Sequence, residues 1–114
     1  MYVVSAQCRL SNYSEAKGKE TMSYVTIRDV DVPIKRKEIV DCNILRVEAG
    51  TTGHKGGDTG HGGRTYFSIT DEASTDMEVN VFDNGFEVML GGDTELDTMI
   101  EALEFIVKTL KEKR

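Results

Sequence analysis

The chain has 114 residues, 39% hydrophobic and 30% charged, with a formal net charge of −6 and a pI near 4.9. That length suits one domain over residues 1–114, small enough that a second subunit could complete its core. The acidic balance argues against duplex DNA or an anionic membrane, either of which needs a broad basic face, and the longest apolar run is far too short to cross a bilayer.

Period-two alternation dominates up to the C-terminal segment. Tyr2, Val4, Ala6, Cys8 and Leu10 alternate with Val3, Ser5, Gln7 and Arg9, which predicts a strand with one apolar face. Residues 12–19 are polar, contain Gly18 and read as a turn. A second strand is expected over Met22 to Val30, with Val25 and Ile27 on one face and Tyr24, Thr26 and Arg28 on the other. Pro33, followed by Lys35-Arg36-Lys37, marks an exposed connection, before which the N-terminal strands could swap into a second subunit. Glu38 to Glu48 reads as a third strand in which Leu45 and Val47 point the same way. Cys8 and Cys42 each lie in a strand-like segment with no signal peptide ahead of them. They are read as two reduced, buried thiols in a cytoplasmic protein, with a disulfide or a metal pair as the alternatives.

Thr65 to Thr70 is predicted as a fourth strand, with Phe67 and Ile69 on one face and Tyr66 and Ser68 on the other. Asn84-Gly85 supplies the two positive φ values of a type I′ turn, which pairs Val81 with Val88 and Val79 with Leu90 and puts all four on one face. Phe82 stands out on the opposite face. The period then changes. Residues 94–112 are expected to form a helix about 27 Å long, opened by a capping box at Thr94 and Asp97 and closed by basic residues. Its apolar stripe is Leu96, Met99, Ile100, Leu103, Val107 and Leu110, with Ile106 on the flank and Phe105 on the opposite side. The expected architecture is α+β: a mostly antiparallel sheet of about six strands, with this helix packed on the face bearing Val79, Val81, Val88 and Leu90.

Seven of the eleven glycines fall between Gly50 and Gly63, a density no packed core requires. The segment also carries Thr51, Thr52, His54, Lys55, Asp58, Thr59 and His61, and leads into Arg64, Thr65 and Tyr66. Successive N–H groups free of Cβ can converge into an anion-binding nest, so Gly56, Gly57, Gly60, Gly62 and Gly63 are expected to hold phosphate together with Lys55 and Arg64. His54 and His61 add charge on protonation, and Tyr66 or Phe82 is expected to stack on a base. The P-loop and the dinucleotide fingerprint do not fit, because the segment enters a strand rather than a helix. His54, Asp58 and His61 give weak metal-ligand spacing without a helix to align them. Asp58-Thr59-Gly60 shares the aspartic-protease triplet but not its flanking residues.

The run Gly50-Thr51-Thr52-Gly53, then Gly56 to Thr65, with Glu78-Val79, Asp83-Asn84-Gly85 and Gly91-Gly92-Asp93-Thr94, resembles small uncharacterised proteins encoded by phages and prophages of Gram-positive bacteria. Small acidic phage proteins with anion-binding loops include sponges that sequester nucleotide second messengers of bacterial immunity. The resemblance thus implies a non-catalytic protein in the cytoplasm of a bacterial host, with no cofactor. Its partner would be a nucleotide or cyclic nucleotide second messenger, and it would act as a homodimer or higher homo-oligomer. The alternatives are an inhibitor that binds a host protein through the sheet face and Phe105, and a small phosphoesterase or metal-binding protein using His54 and His61.

Overall fold

In the computed structural model the described residues are 20–56 and 62–114. The expected strand over Tyr2 to Leu10, the turn after it and Cys8 lie outside them. Six strands and one helix follow: β1 (Glu20–Ile27), β2 (Val30–Val40), β3 (Ile44–Thr51), β4 (Thr65–Ala73), β5 (Met77–Val81), β6 (Phe86–Leu90) and α1 (Asp93–Lys113). Strands β1 to β4 form an antiparallel meander in that spatial order, and β5 and β6 pair as a separate hairpin sheet. Helix α1 lies across one face of the larger sheet, chiefly over β3, so the fold is α+β. No helix among the described residues is long and apolar enough to cross a membrane.

Two tight turns fall where the alternation suggested continuous strand. Arg28 and Asp29 take φ of 50° and 69°, the two positive values of a type I′ turn, so Ile27 folds directly onto Val30. Pro33 is consequently not an exposed connection. It sits inside β2, half-buried and opposite Tyr24. A proline is tolerated there because β2 pairs with β3 only from Ile34 onward, which leaves one edge of β2 without a strand partner at Pro33 among the described residues.

The expected third strand divides as well: Glu38 to Val40 ends β2, and β3 begins at Ile44. Asn43 fixes the intervening turn. Its fully buried side chain donates to Thr75 Oγ1 at 2.9 Å and Thr98 Oγ1 at 3.0 Å, tying the turn to the β4–β5 connection and to α1. Cys42 in this turn is disulfide-bonded rather than a reduced thiol. The sequence contains one other cysteine, Cys8.

The hairpin forms, but through a four-residue loop over residues 82–85, with the Phe82 N–H donating to the Gly85 carbonyl at 2.7 Å. Val81 therefore opposes Phe86, Val79 opposes Val88, and Met77 opposes Leu90. Relative to a turn at Asn84-Gly85 alone, each partner moves by two residues, an even shift that leaves every side chain on its expected face.

The largest departure from the sequence pattern concerns α1. The core consists of Ile39, Leu45, Val47 and Ala49 from the sheet and Met99, Ala102, Phe105 and Ile106 from the helix. Phe105, expected on the solvent side, is only 6% exposed, whereas Leu96, Ile100, Leu103 and Val107 are 57%, 43%, 48% and 50% exposed. The face turned to the sheet carries the small residues Thr98, Ala102 and Thr109 between its large ones, which lets the helix axis come close to β3. Lys37 caps this packing with its ammonium 5.7 Å from the centre of the Phe105 ring. Lys35 pairs with Glu112 at 3.2 Å beside it.

The helix does not cover Val79, Val81 and Val88, which stay largely exposed; only Met77 and Leu90 at the base of the hairpin touch the core. Nor does the capping box form. The N-cap is Gly92, whose carbonyl accepts from the Leu96 N–H at 3.3 Å. Thr94 instead donates to the Glu95 carboxylate at 3.1 Å.

Candidate functional site

Strands β3 and β4 run past the sheet into the glycine segment, and threonines close its base. The Thr52 N–H donates to the Arg64 carbonyl at 3.0 Å, and the Arg64 N–H donates to Thr52 Oγ1 at 3.0 Å. Thr51 and Thr65 share a hydroxyl–hydroxyl bond of 2.8 Å, and Thr51 Oγ1 accepts from the Gly53 N–H at 3.1 Å. Further out, the Gly62 N–H donates to the Gly56 carbonyl at 2.6 Å. These bonds hold both legs of the segment together, and they commit the Gly62 N–H, one of the donors expected in an anion-binding nest.

Two glycines have packing reasons. Gly53 takes φ of +82°, and a Cβ there would overlap the Lys113 carbonyl oxygen at the end of α1. A Cβ on Gly63 would strike the Gly53 carbonyl oxygen on the facing leg at 2.5 Å. Part of the glycine density thus reflects how tightly the segment is pressed between its own legs and the helix end.

Where segment and helix meet there is a cavity of about 600 Å³. Gly53 to Gly56, Gly63 and the two threonines Thr51 and Thr65 form one wall, and Val107, Leu110, Lys111 and Arg114 form the other. Four lining residues are basic: His54, Lys55, Lys111 and Arg114. Among the described residues no carboxylate side chain lines the cavity, although the chain as a whole carries −6. The helix presents its C-terminal end here, and the Arg114 N–H caps the Leu110 carbonyl at 3.1 Å. Main-chain carbonyls at that end carry partial negative charge, so positive potential in the cavity comes from side chains and not from the helix dipole.

The structure brings together some of the expected site residues. Thr51, His54, Lys55, Gly56, Gly63 and Thr65 line the cavity. Thr52 and Gly62 serve the internal bonding of the segment, and Gly57, Asp58, Thr59, Gly60 and His61 lie outside the described residues. Arg64 turns its guanidinium onto the Gly63 carbonyl at 2.9 Å and is not part of the lining. Tyr66 points to the sheet face away from α1, and Phe82 sits 54% exposed in the β5–β6 loop, so neither aromatic reaches the cavity. Pattern reading had not placed Lys111 and Arg114 here. Their basic character had been assigned to the helix dipole, and nothing local showed that the helix end meets the loop. Among the described residues no group of three His, Cys, Asp or Glu is arranged to hold a metal.

A second polar cluster occupies the sheet face away from α1. Glu48, nearly buried on β3, accepts from Arg36 Nε at 2.6 Å, Tyr66 OH at 3.1 Å and Ser68 Oγ at 3.2 Å. Burial pushes this carboxyl up, but the bond from Arg36, the bonds from Tyr66 and Ser68 and the Arg36 charge together outweigh it, leaving Glu48 below the usual carboxylate range. All three donate to one carboxylate, which makes the cluster a strand-to-strand clamp and accounts for Tyr66.

No protein family, curated protein or solved structure matches the chain.

Proposed function

We propose that this is a non-catalytic binding protein that sequesters a phosphate-containing nucleotide, in the manner of the phage anti-defence sponges the glycine-segment motif suggests. The observation that carries the reading is the cavity between the glycine segment and the end of α1, whose lining among the described residues has four basic side chains and no carboxylate side chain, in an acidic chain. Lys55, Lys111 and Arg114 hold the phosphates, with the His54 imidazole beside them. The apolar wall of Val107 and Leu110 takes the base, the role first assigned to Tyr66 or Phe82. Because these charges sit on flexible side chains near solvent, binding weakens as salt is added.

Isothermal titration of the purified protein against a panel of cyclic and linear nucleotides tests this. At least one should bind, and the double variant Lys111→Ala/Arg114→Ala should bind it about tenfold or more weakly for each phosphate contact removed. No binding by any nucleotide sinks the reading. Nucleotide recovered intact after heat denaturation separates sequestration from the phosphoesterase alternative, which yields new products. A host-protein inhibitor would instead keep its activity in the double variant, and it cannot use Phe105, which lies in the core. A cytoplasmic setting and the disulfide at Cys42 pull in opposite directions. Thiol alkylation of protein quenched directly from cells decides between them.

A further inference from the structure

The solvent-facing side of α1 is unusual for a surface helix, because four large apolar residues run along it at 96, 100, 103 and 107. Spacings of four, three and four are those of a coiled-coil seam, and 21 residues span about 31 Å, room for three heptads. Core packing does not use this seam, since the buried side of α1 is made by other residues.

Charge along the seam indicates what covers it. At 100° per residue, Asp93, Asp97, Glu104, Lys108 and Lys111 fall on one flank of the stripe. The flank is acidic at Asp93, Asp97 and Glu104 and basic at Lys108 and Lys111. A shallow groove beside the seam, lined by Leu103, Glu104, Val107, Lys108, Lys111 and Glu112, runs along the same flank.

We propose that α1 pairs antiparallel with α1 of a second copy of this chain, about a two-fold axis lying between the levels of Ile100 and Leu103. In that register Leu96 faces Val107 and Ile100 faces Leu103. Asp97 then lies between Glu104 and Lys108 of the second copy, and Asp93 meets its Lys111, twice each. Parallel pairing would set like charges against each other. A second copy turned end for end supplies the reversed charge order automatically. Glu104 lies close to the axis, beside Asp97 of the second copy, and is the one flank residue without an opposite charge across it.

Val107 and Lys111 also line the cavity described above, so the test uses Asp97, Leu103 and Lys108 and does not depend on ligand binding. Sedimentation velocity of the wild-type chain should give a dimer, twice the 12.7 kDa chain mass. Leu103→Glu should give a monomer that keeps the wild-type circular dichroism spectrum, since the residue lies outside the core. Lys108→Glu and Asp97→Lys should each weaken the dimer when alone, and mixing the two variants should restore it as a heterodimer, because every flank pair then joins opposite charges. A wild-type monomer at all concentrations overturns the proposal, including the case in which residues 1–19 or another protein covers the seam. So does a Leu103→Glu protein that remains a dimer, or a mixture that fails to recover.

Discussion

At the scale of single residues, Glu48 has the most definite solution behaviour. Its carboxyl is held below the ordinary value of 4.5 by Arg36, Tyr66 and Ser68 against the opposing effect of burial. A carboxyl depressed in the folded state stabilises the protein fully above its unfolded value and loses that contribution as pH falls through the folded one. Glu48→Gln should therefore cost about 1–3 kcal/mol at neutral pH, the loss of charge-assisted hydrogen bonds. Urea titrations at a series of pH values should show the gap from wild type narrowing below pH 4.5. Alternation alone places Tyr66 and Ser68 on one face of their strand, and Glu48 on the face of its own strand away from Leu45 and Val47. It does not bring them together, because their meeting depends on the β3–β4 register that sets Glu48 opposite Ser68.

At the scale of elements, α1 shows why an apolar stripe is an incomplete guide. Large side chains at Leu96, Ile100, Leu103 and Val107 outscore the opposite face on hydrophobicity, yet the sheet selects the face where Ala102, Thr98 and Thr109 permit close approach and Phe105 fills the gap near Lys37. Phe105→Ala should cost about 3–5 kcal/mol through the cavity it leaves, while Leu96→Ala should change the stability of the subunit by no more than about 0.5 kcal/mol. Paired thermal melts of the two variants, run in the Leu103→Glu background to remove any effect of association, read this difference directly. Equal losses would mean that the helix is turned the other way. The hairpin was more legible, since Asn84-Gly85 located it and the two-residue register shift preserved its faces.

At the scale of the whole molecule, the radius of gyration is 16.1 Å and the extents are 55 × 34 × 19 Å. A compact chain of this length would have a radius near 13 Å. The elongation agrees with a β5–β6 hairpin that forms a sheet of its own and a helix that packs chiefly on β3, and it leaves proportionally more surface open to a second subunit. A further constraint is the disulfide at Cys42, in the turn that Asn43 anchors. Reduction should lower stability by about 2–4 kcal/mol, measurable as a fall in melting temperature that Cys42→Ser reproduces and that reductant no longer affects in that variant.

Local chemistry determined much of this protein. Alternation marked the positions that become strands, Asn84-Gly85 marked a reversal, the C-terminal change of period marked a helix, and the glycine segment marked an irregular connection bearing basic residues. These features depend on neighbours in the chain, so the sequence carries them directly. Which face of α1 is buried, that Arg28-Asp29 and Asp41 to Asn43 reverse the chain, and that Lys111 and Arg114 join the glycine segment were decided only by tertiary structure. Each rests on contacts between residues far apart in the chain: Asn43 with Thr98, Gly53 with the end of α1, Phe105 with Lys37. No periodicity within a segment encodes the distance between two segments, and here that distance selected both the core and the lining of the cavity.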